Sequence, residues 1–255
     1  MSELVLGRIA YVNMAPLFHD LQHPAKQVTG VPTDLNAQLL DGRIDVAPIS
    51  SIEWARHSRQ LGLLPRLCVS SEGAVDSIQI VSRRPLAEIR TVAATPESAT
   101  STVLTRVLLP DAELVPFEAE ADGRLLIGDA ALRSVFEDPT PHYDLGQLWR
   151  ERTGLPMVYA VFACQRPPPS GLVEVETALL EAHARARAEP EALARASSAA
   201  YGYPAGFLAR YFEKLQYSFG PRERAGLLSF LEMARDIGAL DGVPDLRFVG
   251  PGVPA

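Results

Sequence analysis

The 255-residue chain is 47% hydrophobic and 22% charged, which is typical of an ordinary globular protein. Its net charge of −7, without a run of Lys or Arg, argues against a nucleic-acid partner. Cys68 and Cys164 lie far apart and the five histidines lack metal-binding spacing, so we predict no metal and no cofactor.

Hydropathy also bears on where the protein acts. No apolar stretch approaches the ~20 residues that span a bilayer, so no membrane partner is predicted. The first residues show neither a basic leader nor a long apolar core, and we therefore expect a cytoplasmic protein. The sequence leaves open whether it is a monomer or a homodimer.

Strand and helix patterns alternate along the first two thirds of the chain. The predicted strands are 4–12 (bent near Gly7), 28–31, 44–49, 63–69, 77–82, 90–94, 114–115, 125–127 and 157–164. The predicted helices begin near Pro16, Thr33, Ser50 or Ser51, Ser98 and Asp144. The rest is helical, with segments 172–200 (interrupted at Pro190), 204–212 and 221–237.

This order predicts an α/β fold of two lobes with a ligand cleft between them and a helical C-terminal part. Residues 1–83 and about 170–255 are expected to form a discontinuous first lobe, and 84–169 the second.

The stretch 44–54 is the centre of this organisation. An apolar run predicts a strand buried on both faces, although Pro48 cannot donate a hydrogen bond within a sheet. The strand ends at Ser50 and Ser51, where a helix begins. Two interpretations stay open: the serines only cap the helix, or they bind an anion together with its free N–H groups.

Other polar side chains follow predicted strands at similar places, where an open α/β sheet binds its ligands. Each also has a purely structural interpretation as a cap, a turn residue or a strand start. No GxSxG, P-loop or GxGxxG motif is present, so the cleft belongs either to a binder or to an enzyme that positions a reactive substrate. The candidates are Tyr11, Asn13, Ser50, Ser51, Ser77, Ser98, Thr100, Ser101, Thr102 and Asp129, with Tyr159 as a further addition.

Four segments together resemble the chorismate dehydratase family of the futalosine route to menaquinone. They are GRIAYVNMAPLF, IDVAPISSIEW, LLIGDAAL and YDLGQLW, and the resemblance covers nearly the whole chain. It implies the fold of type II periplasmic binding proteins. The implied reaction removes water from chorismate and gives 3-[(1-carboxyvinyl)oxy]benzoate, with chorismate as the small-molecule partner.

The resemblance also implies roles for residues. Asn13 matches an asparagine close to the reacting centre, and the hydroxyl-bearing candidates would bind the substrate carboxylates. A related family, 1,4-dihydroxy-6-naphthoate synthase, has a catalytic histidine where this chain has Gly128, which favours the dehydratase. The alternative from another class is a non-catalytic receptor or sensor for a small carboxylate.

Overall fold

The computed structural model describes residues 4–250, which form two β-sheets and the helices that cover them. The strands are β1 (Val5–Ile9), β2 (Lys26–Gly30), β3 (Val46–Ser50), β4 (Leu61–Ser71), β5 (Ile78–Val81), β6 (Thr91–Ala94), β7 (Glu113–Pro116), β8 (Gly123–Ile127), β9 (His142–Asp144), β10 (Met157–Gln165) and β11 (Gln216–Ser218).

The helices lie between and after these strands. They are α1 (Ala15–Phe18), α2 (Pro32–Leu40), α3 (Ser51–Arg56), α4 (Ala99–Leu108), α5 (Gly128–Glu137), α6 (Leu145–Thr153), α7 (Leu172–Ala188), α8 (Pro190–Tyr201), α9 (Ala205–Lys214) and α10 (Pro221–Asp236). Short 3₁₀ turns occupy Val12–Met14 and Leu86–Glu88. None of the helices within residues 4–250 has the length and apolar character to cross a membrane.

The first sheet has the strand order β11-β4-β10-β3-β1-β2. Strand β1 runs parallel to β2 and β3, whereas β10 runs antiparallel to β3 and β4. All five residues of β3 and nearly all of β10 are buried, because helices cover both faces of this sheet. The apolar run at 44–49 therefore forms the buried strand that its sequence predicts.

The second sheet has the order β7-β6-β8-β5-β9. Strand β5 thus belongs to the second sheet, although it precedes the predicted boundary at residue 83. Strand β10 belongs to the first sheet, although it precedes the predicted boundary at residue 169. The chain crosses between sheets after β4 and again before β10, because cross-strand pairing, which a single strand's pattern does not encode, selects the sheet.

The C-terminal helices pack against elements of the first sheet and against α1. Helix α7 packs against α1 and β4, and α10 packs against β10. Helix α4 follows a strand of the second sheet yet packs against α3 and α10, so it joins the two lobes. Strands β9 and β11 were not predicted as elements, because each has only three residues.

Candidate functional site

A pocket lies between the two sheets and holds about 550 Å³ of space free of protein atoms, part of it open to solvent. Both lobes line it, and we refer to it as the interlobe pocket. Its polar lining residues are Tyr11, Asn13, Ser50, Ser77, Ser98, Ser101 and Tyr159, and its other walls include Ile9, Pro32, Val69, Val75, Ile78, Ile127, Gly128, Ala160 and Leu215.

Asn13 lies in the 3₁₀ turn that follows β1. Its backbone carbonyl accepts a hydrogen bond from the Tyr217 hydroxyl. Its side-chain Oδ1 is buried and has no hydrogen-bond partner among residues 4–250. An unpaired buried polar atom is unfavourable, so a ligand in the interlobe pocket gains a contact here that the protein does not supply.

Tyr11 closes one side of the interlobe pocket. Its hydroxyl donates a 2.8 Å hydrogen bond to Oε2 of Glu97, which follows β6 in the second lobe. Burial, and then the neighbouring Glu97 carboxylate, raise the pKa of the Tyr11 phenol above its usual value. The phenol therefore stays protonated and holds the two lobes together as a donor.

Gly128, at the start of α5, packs directly beneath the Tyr11 ring. A Cβ atom at this position would lie 2.6 Å from the ring, and the backbone φ is +55°, a conformation that favours glycine. Residue 128 therefore has neither the space nor the backbone geometry for a side chain.

Ser50 is held in place by Asn36 of α2. Oδ1 of Asn36 accepts a 3.1 Å hydrogen bond from the Ser50 backbone N–H. Nδ2 of Asn36 donates to the Ser50 hydroxyl oxygen at 3.4 Å. The Ser50 hydroxyl makes no bond to its own helix, although the residue precedes α3. Its proton is therefore free to reach a ligand.

Ser98 and Ser101 form a pair at the start of α4. The Ser98 hydroxyl accepts from the Ser101 backbone N–H at 3.2 Å, and the two hydroxyl oxygens are 2.9 Å apart. One proton is shared within the pair, which leaves the other for a ligand. The Ser98–Ser101 pair can therefore cap α4 and donate to a ligand at the same time.

Ser77 and Tyr159 complete the polar lining. The Ser77 backbone carbonyl accepts a 2.8 Å bond from the Gly128 N–H, which sets β5 against the start of α5. The Tyr159 hydroxyl lies 2.8 Å from the Ser71 hydroxyl, which donates to the Gly73 carbonyl at 2.7 Å. Burial raises the pKa of Tyr159 above its usual value, so this phenol also keeps its proton.

Four predicted site residues lie outside the lining of the interlobe pocket. The Ser51 hydroxyl donates to the Val158 carbonyl at 2.8 Å, and the Thr102 hydroxyl donates to the Ser98 carbonyl of its own helix at 2.9 Å. Thr100 accepts a 3.3 Å bond from the Ile52 N–H. These three side chains are occupied by bonds within the protein.

Asp129 is the fourth. Its Oδ1 accepts a 3.0 Å hydrogen bond from the Val12 backbone N–H, and its own backbone carbonyl accepts from the Tyr203 hydroxyl at 2.7 Å. Burial raises the pKa of this carboxyl, against the lowering effect of the Val12 N–H. Asp129 thus contacts the turn that carries Asn13 instead of lining the pocket.

Three contributors to the site were not predicted: Asn36, Glu97 and Tyr217. Their partners lie 14, 86 and 204 residues away along the chain, and no local pattern marks Glu97 or Tyr217. Asn36 sits on a helix face among leucines, and a buried polar residue on an apolar face is the one signal that the sequence offered.

The described lining of the interlobe pocket contains no Asp, Glu, His, Lys or Arg. Instead, Pro32, Ser98 and Gly128 place the starts of α2, α4 and α5 at the pocket. Helix starts carry a partial positive charge, and hydroxyl groups donate hydrogen bonds. The pocket is therefore suited to an anion that is held by neutral dipoles.

The sequence also matches a known protein family. The model of a family described as menaquinone biosynthesis matches residues 4–236. The chain belongs to this menaquinone biosynthesis family. The match includes every residue that lines the interlobe pocket.

Two relatives of this chain carry the same name. Chorismate dehydratase of Thermus thermophilus is 35% identical over 261 residues, 91% of this chain and 95% of that protein. Chorismate dehydratase of Campylobacter jejuni is 35% identical over 170 residues, 63% of this chain and 67% of that protein. The resemblance inferred from the four sequence segments is confirmed.

Solved structures confirm the fold class. A protein of Archaeoglobus fulgidus has a TM-score of 0.77 at 19% identity, over 93% of this chain and 98% of that one. The periplasmic aliphatic sulphonate binding protein SsuA of Escherichia coli has a TM-score of 0.71 at 14% identity, over 100% and 94%. At these identities the likeness shows the periplasmic-binding-protein fold alone.

Proposed function

We propose that this member of the menaquinone biosynthesis family is a chorismate dehydratase, a hydro-lyase that converts chorismate to 3-[(1-carboxyvinyl)oxy]benzoate. The observation that carries the proposal concerns the described residues: those that line the pocket include no charged side chain, and the buried Oδ1 of Asn13 has no partner among them. Two relatives named chorismate dehydratase, each 35% identical, support it.

The chemistry requires little acid or base strength from the protein. The proton on ring carbon C3 is acidic, because its electron pair can delocalise through a double bond onto the ring carboxylate. The same electron pair then forms the C3–C4 double bond while the C4 hydroxide leaves. The ring becomes aromatic, so the elimination is strongly downhill once the proton has been removed.

The base in this proposal is the enolpyruvyl carboxylate of the substrate itself. The only titratable groups in the described lining are the phenols of Tyr11 and Tyr159, and the pKa of each is raised by burial. Both phenols are protonated at neutral pH and accept no proton. A substrate folded so that its own carboxylate reaches C3–H needs positioning rather than a protein base.

Charge stabilisation comes from neutral donors. Chorismate is a dianion, and negative charge moves onto the ring carboxylate as the C3 proton leaves. The hydroxyls of Ser50, Ser77, Ser98 and Ser101, with the nearby helix starts, are the groups that we assign to the carboxylates. Fixed dipoles in a small pocket stabilise this developing charge without reorganising.

Asn13 is the group that we assign to the C4 hydroxyl. Its amide can accept from the hydroxyl while the substrate is bound and can donate to the oxygen as hydroxide departs. The unpaired Oδ1 supports this assignment, because the substrate hydroxyl can donate to an oxygen that accepts no hydrogen bond from the described residues.

Gly128 supports this reaction over that of the related synthase. A histidine side chain at position 128 would begin with a Cβ 2.6 Å from the Tyr11 ring, at a φ of +55°. The interlobe pocket is thus built without a place for that catalytic group.

We infer that the dehydratase acts in the cytoplasm, on a biosynthetic metabolite.

The test is incubation of purified protein with chorismate, followed by ultraviolet absorbance and mass spectrometry. We expect chorismate to disappear and a product lighter by one water to form, with an aromatic spectrum. Heat-denatured protein is the control for spontaneous decay. Unchanged chorismate together with tight binding of another small carboxylate would overturn the proposal in favour of a non-catalytic binder.

A further inference from the structure

Tyr217 connects a distant part of the chain to the Asn13 turn. It lies on β11, the edge strand that pairs with β4, and its side chain is 1% exposed. Its hydroxyl bonds to the Asn13 backbone carbonyl, 204 residues away in sequence. A carbonyl oxygen only accepts hydrogen bonds, so the phenol is the donor.

Two features hold this hydroxyl at one point. Burial raises the pKa of the Tyr217 phenol well above its usual value, so the donor proton stays in place wherever the protein is folded. The ring of His183 meets the Tyr217 ring edge-on, with centroids 4.9 Å apart and planes inclined at 68°. The contact restricts the ring that carries the hydroxyl.

The Asn13 turn is short, and besides its own bonds, one of which joins the Ala15 N–H to the Val12 carbonyl, it has support from outside. It is a 3₁₀ turn of three residues, and short 3₁₀ turns have poor hydrogen-bond geometry of their own. Within the turn the Met14 N–H bonds to the Tyr11 carbonyl at 3.1 Å. From outside the turn, Asp129 of the second lobe bonds to Val12 and Tyr217 of the first lobe bonds to Asn13.

We infer that Tyr217 is a positioning residue for the elimination, because its buried hydroxyl fixes the main chain of Asn13 and so aims the Asn13 amide at the leaving oxygen. This inference rests on the proposed function. Tyr217 does not line the interlobe pocket, so it acts on turnover through Asn13 and not on substrate binding.

The test is Tyr217→Phe, which keeps the ring and removes the hydroxyl. Tyr143→Phe is the matched control, since the Tyr143 hydroxyl also donates to a backbone carbonyl, that of Arg84, at 2.8 Å and away from the pocket. We expect kcat to fall about ten-fold in Tyr217→Phe, as for a misaligned catalytic group. Affinity for the product and KM should stay within two-fold, and Tyr143→Phe should match the wild type.

Three outcomes separate the hypotheses. Wild-type protein that leaves chorismate unchanged would overturn the proposed function. With an active wild type, Tyr217→Phe turnover within two-fold of normal would overturn only the positioning role. A fall in kcat matched by an equal loss of product affinity, or of folded protein in a thermal scan, would also overturn it and make Tyr217 purely structural.

A second variant covers the case in which Tyr217→Phe does not fold. His183→Ala removes the ring that packs against Tyr217 at a half-buried position. We expect a smaller fall in kcat, with product affinity unchanged. Normal kcat in His183→Ala, with no folded Tyr217→Phe, would overturn the inference.

Discussion

The Asp129 carboxylate accepts a 3.0 Å hydrogen bond from the Val12 backbone N–H, and this bond joins the second lobe to the turn that carries Asn13. Asp129 is the second residue of α5, whereas Val12 follows β1, so the bond spans the two lobes. We therefore expect the alignment of Asn13 to be coupled to closure of the interlobe pocket.

Removing the Asp129 carboxylate should uncouple the alignment of Asn13 from closure of the interlobe pocket. We expect Asp129→Ala to lower kcat/KM about ten-fold or more, because the Asn13 turn loses its contact with the second lobe. Asp138→Ala is the control, since Asp138 likewise accepts from a backbone N–H, that of Thr140 at 2.9 Å, but on an exposed surface. Steady-state kinetics on chorismate measure both, and equal activities would contradict the coupling.

The pH dependence of stability reports on the same carboxyl. Burial raises the pKa of Asp129 in the folded protein, so the folded state binds this proton more tightly than the unfolded chain. The contribution of this carboxyl to the free energy of unfolding is fully present below its unfolded pKa of about 4. It is lost as the pH rises through the raised pKa of the folded state. Wild type should therefore lose stability relative to Asp129→Asn as pH rises.

Asp122 is the control for that experiment, with the opposite sign. The Arg90 N–H, with other neighbouring donors and Arg84, lowers the pKa of the Asp122 carboxyl. Wild type should gain stability relative to Asp122→Asn as pH rises. Urea midpoints from acid to neutral pH measure both differences, and the assignment fails if the two differences change in the same direction.

Asn13 itself should control turnover more than binding. We expect Asn13→Ala to lower kcat by about 10²–10³, the usual effect of removing one group that stabilises charge in the transition state. KM should change little, because serine hydroxyls and helix starts hold the carboxylates. Asn13→Asp is the contrasting variant: its carboxylate should raise KM as well, by repelling a dianion. Near-normal turnover in Asn13→Ala would remove the catalytic assignment.

Ser50 and Ser51 are neighbours with different expected roles. Ser50 lines the interlobe pocket, so Ser50→Ala should raise KM about five- to ten-fold, the equivalent of a hydrogen bond worth about 1 kcal/mol. The Ser51 hydroxyl donates to the buried Val158 carbonyl, so Ser51→Ala should leave KM unchanged and destabilise the fold by about 1 kcal/mol. Kinetics and urea unfolding of each variant decide, and a reversed pattern would contradict the placement.

Gly128 tests the packing beneath Tyr11. Gly128→Ala places a methyl group 2.6 Å from the Tyr11 ring and should displace the ring, break its bond to Glu97 and abolish most activity. Gly154→Ala is the matched control, because its φ is +71° and nothing lies within 4 Å of the added methyl. Both variants should lose about 1–2 kcal/mol of stability for the backbone conformation, but only Gly128→Ala should lose turnover.

Local patterns were sufficient for most elements. Asp144 caps α6 through the N–H groups of Gly146 and Gln147, as predicted, and the segment interrupted at Pro190 forms two helices, α7 and α8. Spacing and capping are properties of neighbouring residues, so they are visible in a linear sequence. Serine and threonine clusters at strand ends are likewise visible in the sequence, and they supplied the candidates for the pocket lining.

The sequence by itself determined an α/β chain with polar residues at its strand ends and, by resemblance, its family. Only the tertiary structure decided that Ser51, Thr100, Thr102 and Asp129 bond within the protein, while Ser50, Ser77 and Ser101 line the pocket. The physical reason is that each hydroxyl or carboxylate binds whichever donor or acceptor lies nearest in space. The partners of Ser51, Thr100 and Asp129 come from other elements, at sequence separations that no local pattern records, whereas Thr102 bonds within its own helix.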